Sequence, residues 1–160
     1  MKAFILLLLS LYLVYSQPVQ RLEEYTASLA TWRKLNPKSY QYVVGEYTYY
    51  HEPVTKTTIT VKNGKVIKRN YWFKDVLYTD EITTWVEDTP ETIATHLEGF
   101  PALNFDEIYS QCRSNVLIHE PDRIQFEIGN NGLISLCGIL PPGCSDGCFG
   151  GIKVESFTIL

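Results

Sequence analysis

The chain has 160 residues, with 14 Lys and Arg against 18 Asp and Glu, three His and four Cys, and a formal net charge of −4. No basic run is long enough to neutralise several phosphates, so nucleic acid is not an expected partner. No acidic block points to a polyanionic mineral-binding tail, and the length fits one domain with an adequate core.

At the N-terminus, Lys2 precedes the apolar run Ala3–Leu13, and Val14 and Ser16 stand three and one positions before a cleavage point. The run is short for a bilayer span. Residues 1–16 therefore read as a removed signal peptide, and residues 17–160 as a single secreted, extracellular domain with no membrane attachment after cleavage. Losing Lys2 takes the net charge to −5. No Asn-x-Ser/Thr triplet occurs, so N-glycosylation is not expected.

Gln17–Leu35 is a predicted helix, with Leu22, Tyr25, Leu29 and Trp32 at three- and four-residue steps. Asn36-Pro37 stops it. The Tyr/Val-rich Ser39–Tyr50 reads as a strand, with Tyr40, Tyr42 and Val44 on one face and Gly45 as a bulge. The tyrosines read as aromatic residues suited to a pleated surface rather than as cross-linking groups. Thr55–Phe73 predicts a hairpin, because Asn63-Gly64 supplies the two positive φ angles of a type I′ turn. The expected register sets Val61 against Val66 and Ile59 against Lys68, so that Ile59, Val61 and Val66 meet the core. Lys65, Lys68 and Arg69 are then solvated edge charges.

Lys74–Glu87 is ambiguous. Thr89-Pro90-Glu91 predicts a short helix capped by Thr89, with Ile93, Ala94 and Leu97 on its apolar face and Gly99 at its end. A further helix opens at Asn104, with Glu107 completing a capping box and Leu103 and Ile108 at staple positions. Phe105, Ile108, Tyr109, Cys112 and Val116 follow its buried stripe. After Pro121 the period becomes two: Ile124, Phe126 and Ile128 alternate with polar residues, Asn131-Gly132 turns the chain, and Leu133–Leu140 returns. Ile152–Ile159 is the last strand. The expected fold class is α+β, an antiparallel sheet with helices packed on one face and two disulfides.

Cys137, Cys144 and Cys148 are separated by Pro141-Pro142-Gly143 and Ser145-Asp146-Gly147, turn-forming runs that bury little apolar surface. With Cys112, and in an exported chain, they read as two disulfides. Cys137–Cys148 with Cys112–Cys144 is the preferred pairing, and Cys112–Cys137 with Cys144–Cys148 stays open. The spacing suits neither a zinc site nor a redox CxxC motif. His51, His96 and His119 have no paired spacing and read as surface residues. No catalytic or dinucleotide motif is present. Glu46, Glu52, Asp80, Glu81 and Glu87 are available to a hydrolytic pair but read as solvated acids. Asp146 alone gives calcium little affinity. Neither a cofactor nor a metal is expected.

The Trp32-ended helix, SYQYVV, TITVKNGKVIKR, NFDEIYSQC and GLISLCGILPPGCSDGCFGGI together resemble a family of secreted domains of unknown function, found in bacterial lipoproteins and in some eukaryotic secreted proteins. The resemblance covers Leu29–Ile152. Its most specific parts are the NG hairpin and the Gly132–Cys148 run. It implies helices on an antiparallel sheet and carries over no catalytic residue. A looser similarity of layout is to small periplasmic inhibitor-type domains.

The expected function is that of a secreted, non-enzymatic, disulfide-stabilised module that binds an extracellular protein or matrix component. Its candidate binding loop contains Pro141, Pro142 and Asp146, pre-ordered by proline and flanking disulfides. One alternative is an inhibitor of an extracellular hydrolase, inserting the Pro141–Gly147 loop or the Glu46–Pro53 edge into a cleft. A second is an uncharacterised hydrolase.

Overall fold

A computed structural model describes residues 21–47, 53–75, 79, 81–143 and 148–160. The expected signal peptide lies outside these residues, as do His51, Glu52, Asp80, Cys144 and Asp146. No described helix is long and apolar enough to cross a membrane.

The architecture is predominantly β, which corrects the α+β expectation. Helix α1 covers residues 21–35 and is followed by strands β1 (Ser39–Tyr47), β2 (Pro53–Lys62), β3 (Lys65–Lys74) and β4 (Ile82–Glu87). Helix α2 (Phe105–Gln111) runs into a π-helical turn, Cys112–Val116. A 3-10 turn at Pro121–Arg123 leads to β5 (Ile124–Ile128), β6 (Ile134–Ile139) and β7 (Gly150–Ile159). The strands form one seven-stranded antiparallel sheet in the order β4-β3-β2-β1-β7-β6-β5. The first four strands meander outward to one edge. The α2 connection then crosses to the other edge, and β5 to β7 meander back until β7 lies beside β1.

Two expectations fail for local physical reasons. The ambiguous Lys74–Glu87 segment ends in a strand, because β4 pairs along β3 from Arg69↔Glu87 to Lys74↔Ile82. The helix expected after Thr89 stops at one turn, with Thr92 and Ile93 N–H donating to the Thr89 carbonyl. Ala94 then takes φ 67°, outside helical space, and its N–H donates to the Glu87 carboxylate at 2.8 Å. Leu97, expected on an apolar face, is 95% exposed.

Other elements follow the expected chemistry. Asn36 closes α1 at φ 37°, its N–H donating to the Trp32 carbonyl. The capping box of α2 is complete: Glu107 N–H donates to Asn104 Oδ1 at 3.0 Å, and Asn104 N–H to Glu107 Oε2 at 2.7 Å. Phe105, Ile108, Tyr109, Cys112 and Val116 are all buried.

The core is aromatic. Trp32 of α1 meets Tyr40 and Phe157 edge-on, with ring centroids 5.3 and 6.0 Å away, and Phe105 of α2 fills the space between. Buried tyrosine hydroxyls are satisfied by backbone. Tyr42 donates to the Leu103 carbonyl at 2.5 Å, and Tyr40 accepts from Phe105 N–H at 2.8 Å. Burial pushes the Tyr40 phenol up to about 12, against a smaller opposing effect of that N–H. Tyr40 and Tyr42 of β1 are core residues.

One disulfide is described, Cys112–Cys137, where two were expected; it ties the end of α2 to β6 with Cα atoms 5.9 Å apart. It overturns the preferred pairs Cys137–Cys148 and Cys112–Cys144. The reason is placement: Cys112 lies on the buried stripe of its helix, and Cys137 points inward from β6 opposite Ile152 and Phe126. No described cysteine is free.

The NG turn forms as read, with Asn63 at φ 51° and Gly64 at φ 75°. A Cβ at Gly64 would meet nothing within 4 Å, so the turn's demand on this residue is purely conformational. Gly64→Val is expected to cost about 1–3 kcal/mol from backbone strain. Urea denaturation checks it, and an unchanged midpoint would refute the requirement.

The register beyond the turn differs from expectation. Val61 pairs with Val66, but Thr60 pairs with Lys68 and Ile59 with Arg69, leaving Ile67 as an extra residue in β3. The expected Gly45 bulge is absent; β1 is irregular at Glu46/Tyr47 against β2 and at Val43/Val44 against β7. The Ile67 bulge reverses the faces of everything after it. Lys68 turns outward, and Arg69, expected at the surface, is buried at 1% exposure.

Candidate functional site

The covered face of the sheet holds a charged cluster. Phe157, Tyr42, Ile59, Arg69 and Glu87 form one row across five strands, all on the side under the helices and the 88–103 loop. Arg69 donates to Glu87 Oε2 at 2.8 Å, to the Glu98 carbonyl at 3.0 Å and to the Phe100 carbonyl at 3.1 Å. Glu87 in turn accepts from the N–H groups of Ala94 and His96, each at 2.8 Å, and from His96 Nδ1 at 3.0 Å. Trp85 lies under this pair, stacked between Tyr71 and His96, with the guanidinium 4.8 Å from its ring centre.

Burial alone would raise the Glu87 carboxyl. The N–H groups of His96 and Ala94, the His96 ring and the Arg69 charge outweigh that effect and hold it at about 2. The two oxygens of Glu87 already accept from loop backbone, His96 and Arg69. A carboxylate so engaged fastens the loop to the sheet and is not disposed to move protons. His96, expected as a plain surface residue, is therefore a strut of this cluster, although its side chain is 42% exposed.

Of the other acids expected to be available to a hydrolytic pair, Glu52 and Asp80 lie outside the described residues. Glu81 precedes β4 and is exposed, at the end of the strand opposite Glu87. His119 lines a cleft of about 430 Å³ with Arg21, Arg113 and Pro121, where the Arg21 guanidinium donates to the Pro121 carbonyl. A cleft of about 620 Å³ between the end of α1 and the NG turn holds Arg33, Lys38 and Asp106, the last accepting from Trp32 Nε1 at 2.8 Å. An apolar cleft of about 330 Å³ beside the disulfide is lined by Ile108, Val116, Ile139 and Ile152. None of these three clefts brings two described carboxylates together.

The proposed binding loop is only partly described. Pro141 and Pro142 are exposed after β6, and Asp146 lies outside the described residues. Phe149 follows. A Cβ built on Gly138 would fall 2.3 Å from the Phe149 ring, so the phenyl group occupies the space a side chain there would need. Gly138 alternates with inward Cys137, which places Phe149 over the opposite, outward face of β6.

The outward face continues across the remaining strands of the sheet. Its central row is Ser156, Val43, Thr58, Asn70 and Val86, one position along from the Arg69–Glu87 row. Ile82 and Val86 of edge strand β4 are 59% and 53% exposed. Lys56 and Trp72 are cross-strand partners on this face, and Lys62 and Lys65 are partners at its hairpin end. Lys68 joins them because of the Ile67 bulge. The alternation in TKTTITVK could have placed Lys56 and Lys62 here from sequence. No sequence signal marked the bulge.

Comparison with protein-family models, curated proteins and solved structures finds no match. The resemblance carried by the hairpin and the Gly132–Cys148 run therefore rests on those motifs alone.

Proposed function

We propose that the chain is a secreted, non-enzymatic, disulfide-stabilised binding module whose working surface is the open face of the sheet. The observation that supports this reading is the asymmetry of the two faces. Both helices, the 88–103 loop and the disulfide lie on one side, and the side chains of the opposite face project from a backbone fixed by six strand pairings. A surface held this rigidly loses little entropy when a partner settles on it. An extracellular setting is consistent with the buried cross-link and with the export signal expected from residues 1–16.

The test is a screen of the full secreted protein against a defined panel of purified extracellular proteins and polysaccharides. It is run with the wild type, an open-face variant (Thr84→Glu with Val86→Glu) and a helical-side variant (Glu91→Gln). A partner held by the wild type and by Glu91→Gln, and lost at least tenfold by the open-face variant, is the expected result. Loss confined to the helical-side variant would overturn the assignment. So would turnover of any substrate that is abolished by one carboxylate or histidine substitution in a still-folded protein.

A further inference from the structure

Charge on the open face is segregated. The chain as a whole carries −4. On β2 and β3, however, the outward positions hold Lys56, Lys62, Lys65, Lys68 and Lys74, and no carboxylate occupies a described outward position on β1, β2, β3 or β4. The first acid met across the face is Glu155, on β7, which reaches Lys56 at 3.2 Å. Lys62, Lys65 and Lys68 make no ion pair with any described residue. The acids instead lie largely on the helices and connections, as with Asp106, Glu107 and Glu98.

The lysines form a line rather than a spot. Two ten-residue strands run side by side, so the line spans about 30 Å at roughly 3.3 Å per residue. Between the charges stand short hydroxyl and amide groups: Thr58, Thr60, Asn70 and, one strand away, Thr84 and Gln41. Trp72 lies mid-strand, half-buried, beside Lys56.

We propose that this face is a docking track for a sulfated polysaccharide, with Lys62, Lys65 and Lys68 as its principal contacts. The inference rests on the reading of the chain as a secreted binding module. Charge complementarity selects a polyanion. The run of cations along two adjacent strands, from the Lys62–Lys65 pair past Lys68 to Lys56 and Lys74, selects an extended one, and the interleaved hydroxyl and amide groups match sugar hydroxyls and sulfate oxygens. A membrane calls for apolar residues projecting beyond the charges, whereas the apolar Ile82 and Val86 lie to one side on β4. A nucleic acid calls for arginine and stacked aromatic platforms, and the track contains no arginine and one tryptophan.

The experiment measures binding of a fully sulfated heparin decasaccharide to the intact secreted protein, by calorimetry at several salt concentrations. Neutral dextran, phosphatidylserine vesicles and a 20-base-pair DNA duplex are the comparison probes. Binding of the decasaccharide is expected to weaken with salt, as counterion release requires. The triple variant Lys62→Gln/Lys65→Gln/Lys68→Gln should lose on the order of 100-fold in affinity, about fivefold per lysine near an anionic surface. It should also flatten the slope of log affinity against log salt by about three. The triple variant Arg33→Gln/Lys34→Gln/Arg113→Gln removes equal charge from the helical side and should retain affinity within about threefold.

Equal losses in the two triple variants, or no decasaccharide binding at 0.15 M salt, would overturn the proposal. Tighter binding to the vesicles or the duplex than to the decasaccharide would overturn it as well. These outcomes are separable from failure of the broader reading. If the decasaccharide is ignored but Thr84→Glu/Val86→Glu still abolishes binding of another panel partner, the module stands and the polysaccharide does not.

Discussion

Arg69→Met and Glu87→Gln are each expected to destabilise the protein by about 3–5 kcal/mol, the cost of leaving one member of a buried ion pair without its partner. Both side chains are at most 2% exposed, and water cannot replace the missing charge. The double variant Arg69→Met/Glu87→Leu should recover only part of this loss. The carbonyls of Glu98 and Phe100 and the N–H groups of Ala94 and His96 would still lose their partners. Urea denaturation of the three variants gives the coupling directly. Single-variant losses below 1 kcal/mol would mean that the cluster does not hold the loop.

The same pair sets the acid limb of stability. Glu87 titrates at about 2 in the folded protein, below its ordinary value of 4.5. A depressed carboxyl contributes stability that is fully present above the ordinary value and is lost as pH falls through the folded one. About 3 kcal/mol should therefore disappear between pH 4.5 and pH 2. In Glu87→Gln this part of the slope should be missing. Hydrogen exchange of the amides at 94 and 96 should rise over the same interval, before the core amides of β1 respond.

Removing the Cys112–Cys137 bridge is the second large effect. It closes a segment with a sequence separation of 25, for which loop-closure entropy gives about 3.5 kcal/mol. The Cys112→Ala/Cys137→Ala variant should lose that much, and reduction of the wild type should lose a similar amount. Both sulfur atoms are buried, so reduction should require partial unfolding and slow sharply in stabilising conditions. Fast reduction of this bond in the folded protein would contradict its placement in the core.

Much of the fold was legible in local chemistry. The NG turn, the Asn104–Glu107 box and the Trp32 stripe each encode their geometry within a few residues. The failures come where a distant group overrides a local preference. Thr89-Pro90-Glu91 has the composition of a helix start, but Glu87 draws in the Ala94 and His96 amides and ends it after one turn. Arg69 reads as a surface charge unless the Ile67 bulge is known, and that bulge is fixed by the pairing of ten residues rather than by any one of them. The cysteine pairing was undecidable from spacing, because it depends on the α2 connection crossing the covered face to reach β6. The lysine face was missed for a related reason. Its members are dispersed between positions 56 and 74, and only cross-strand registration aligns them.

The order β4-β3-β2-β1-β7-β6-β5 bears on how the chain acquires its structure. Each meander is assembled from neighbours in sequence and can form early. The seam between them joins Tyr40 to Ile159 and Val44 to Val154, strands more than a hundred residues apart. That pairing carries the largest loop-closure penalty in the molecule, so two preformed halves docking along one seam is the expected slow step of folding. Until it happens, β1 and β7 are both raw edges with unpaired backbone groups, and two such chains can pair with each other instead. The seam is thus where exchange of halves between molecules would begin.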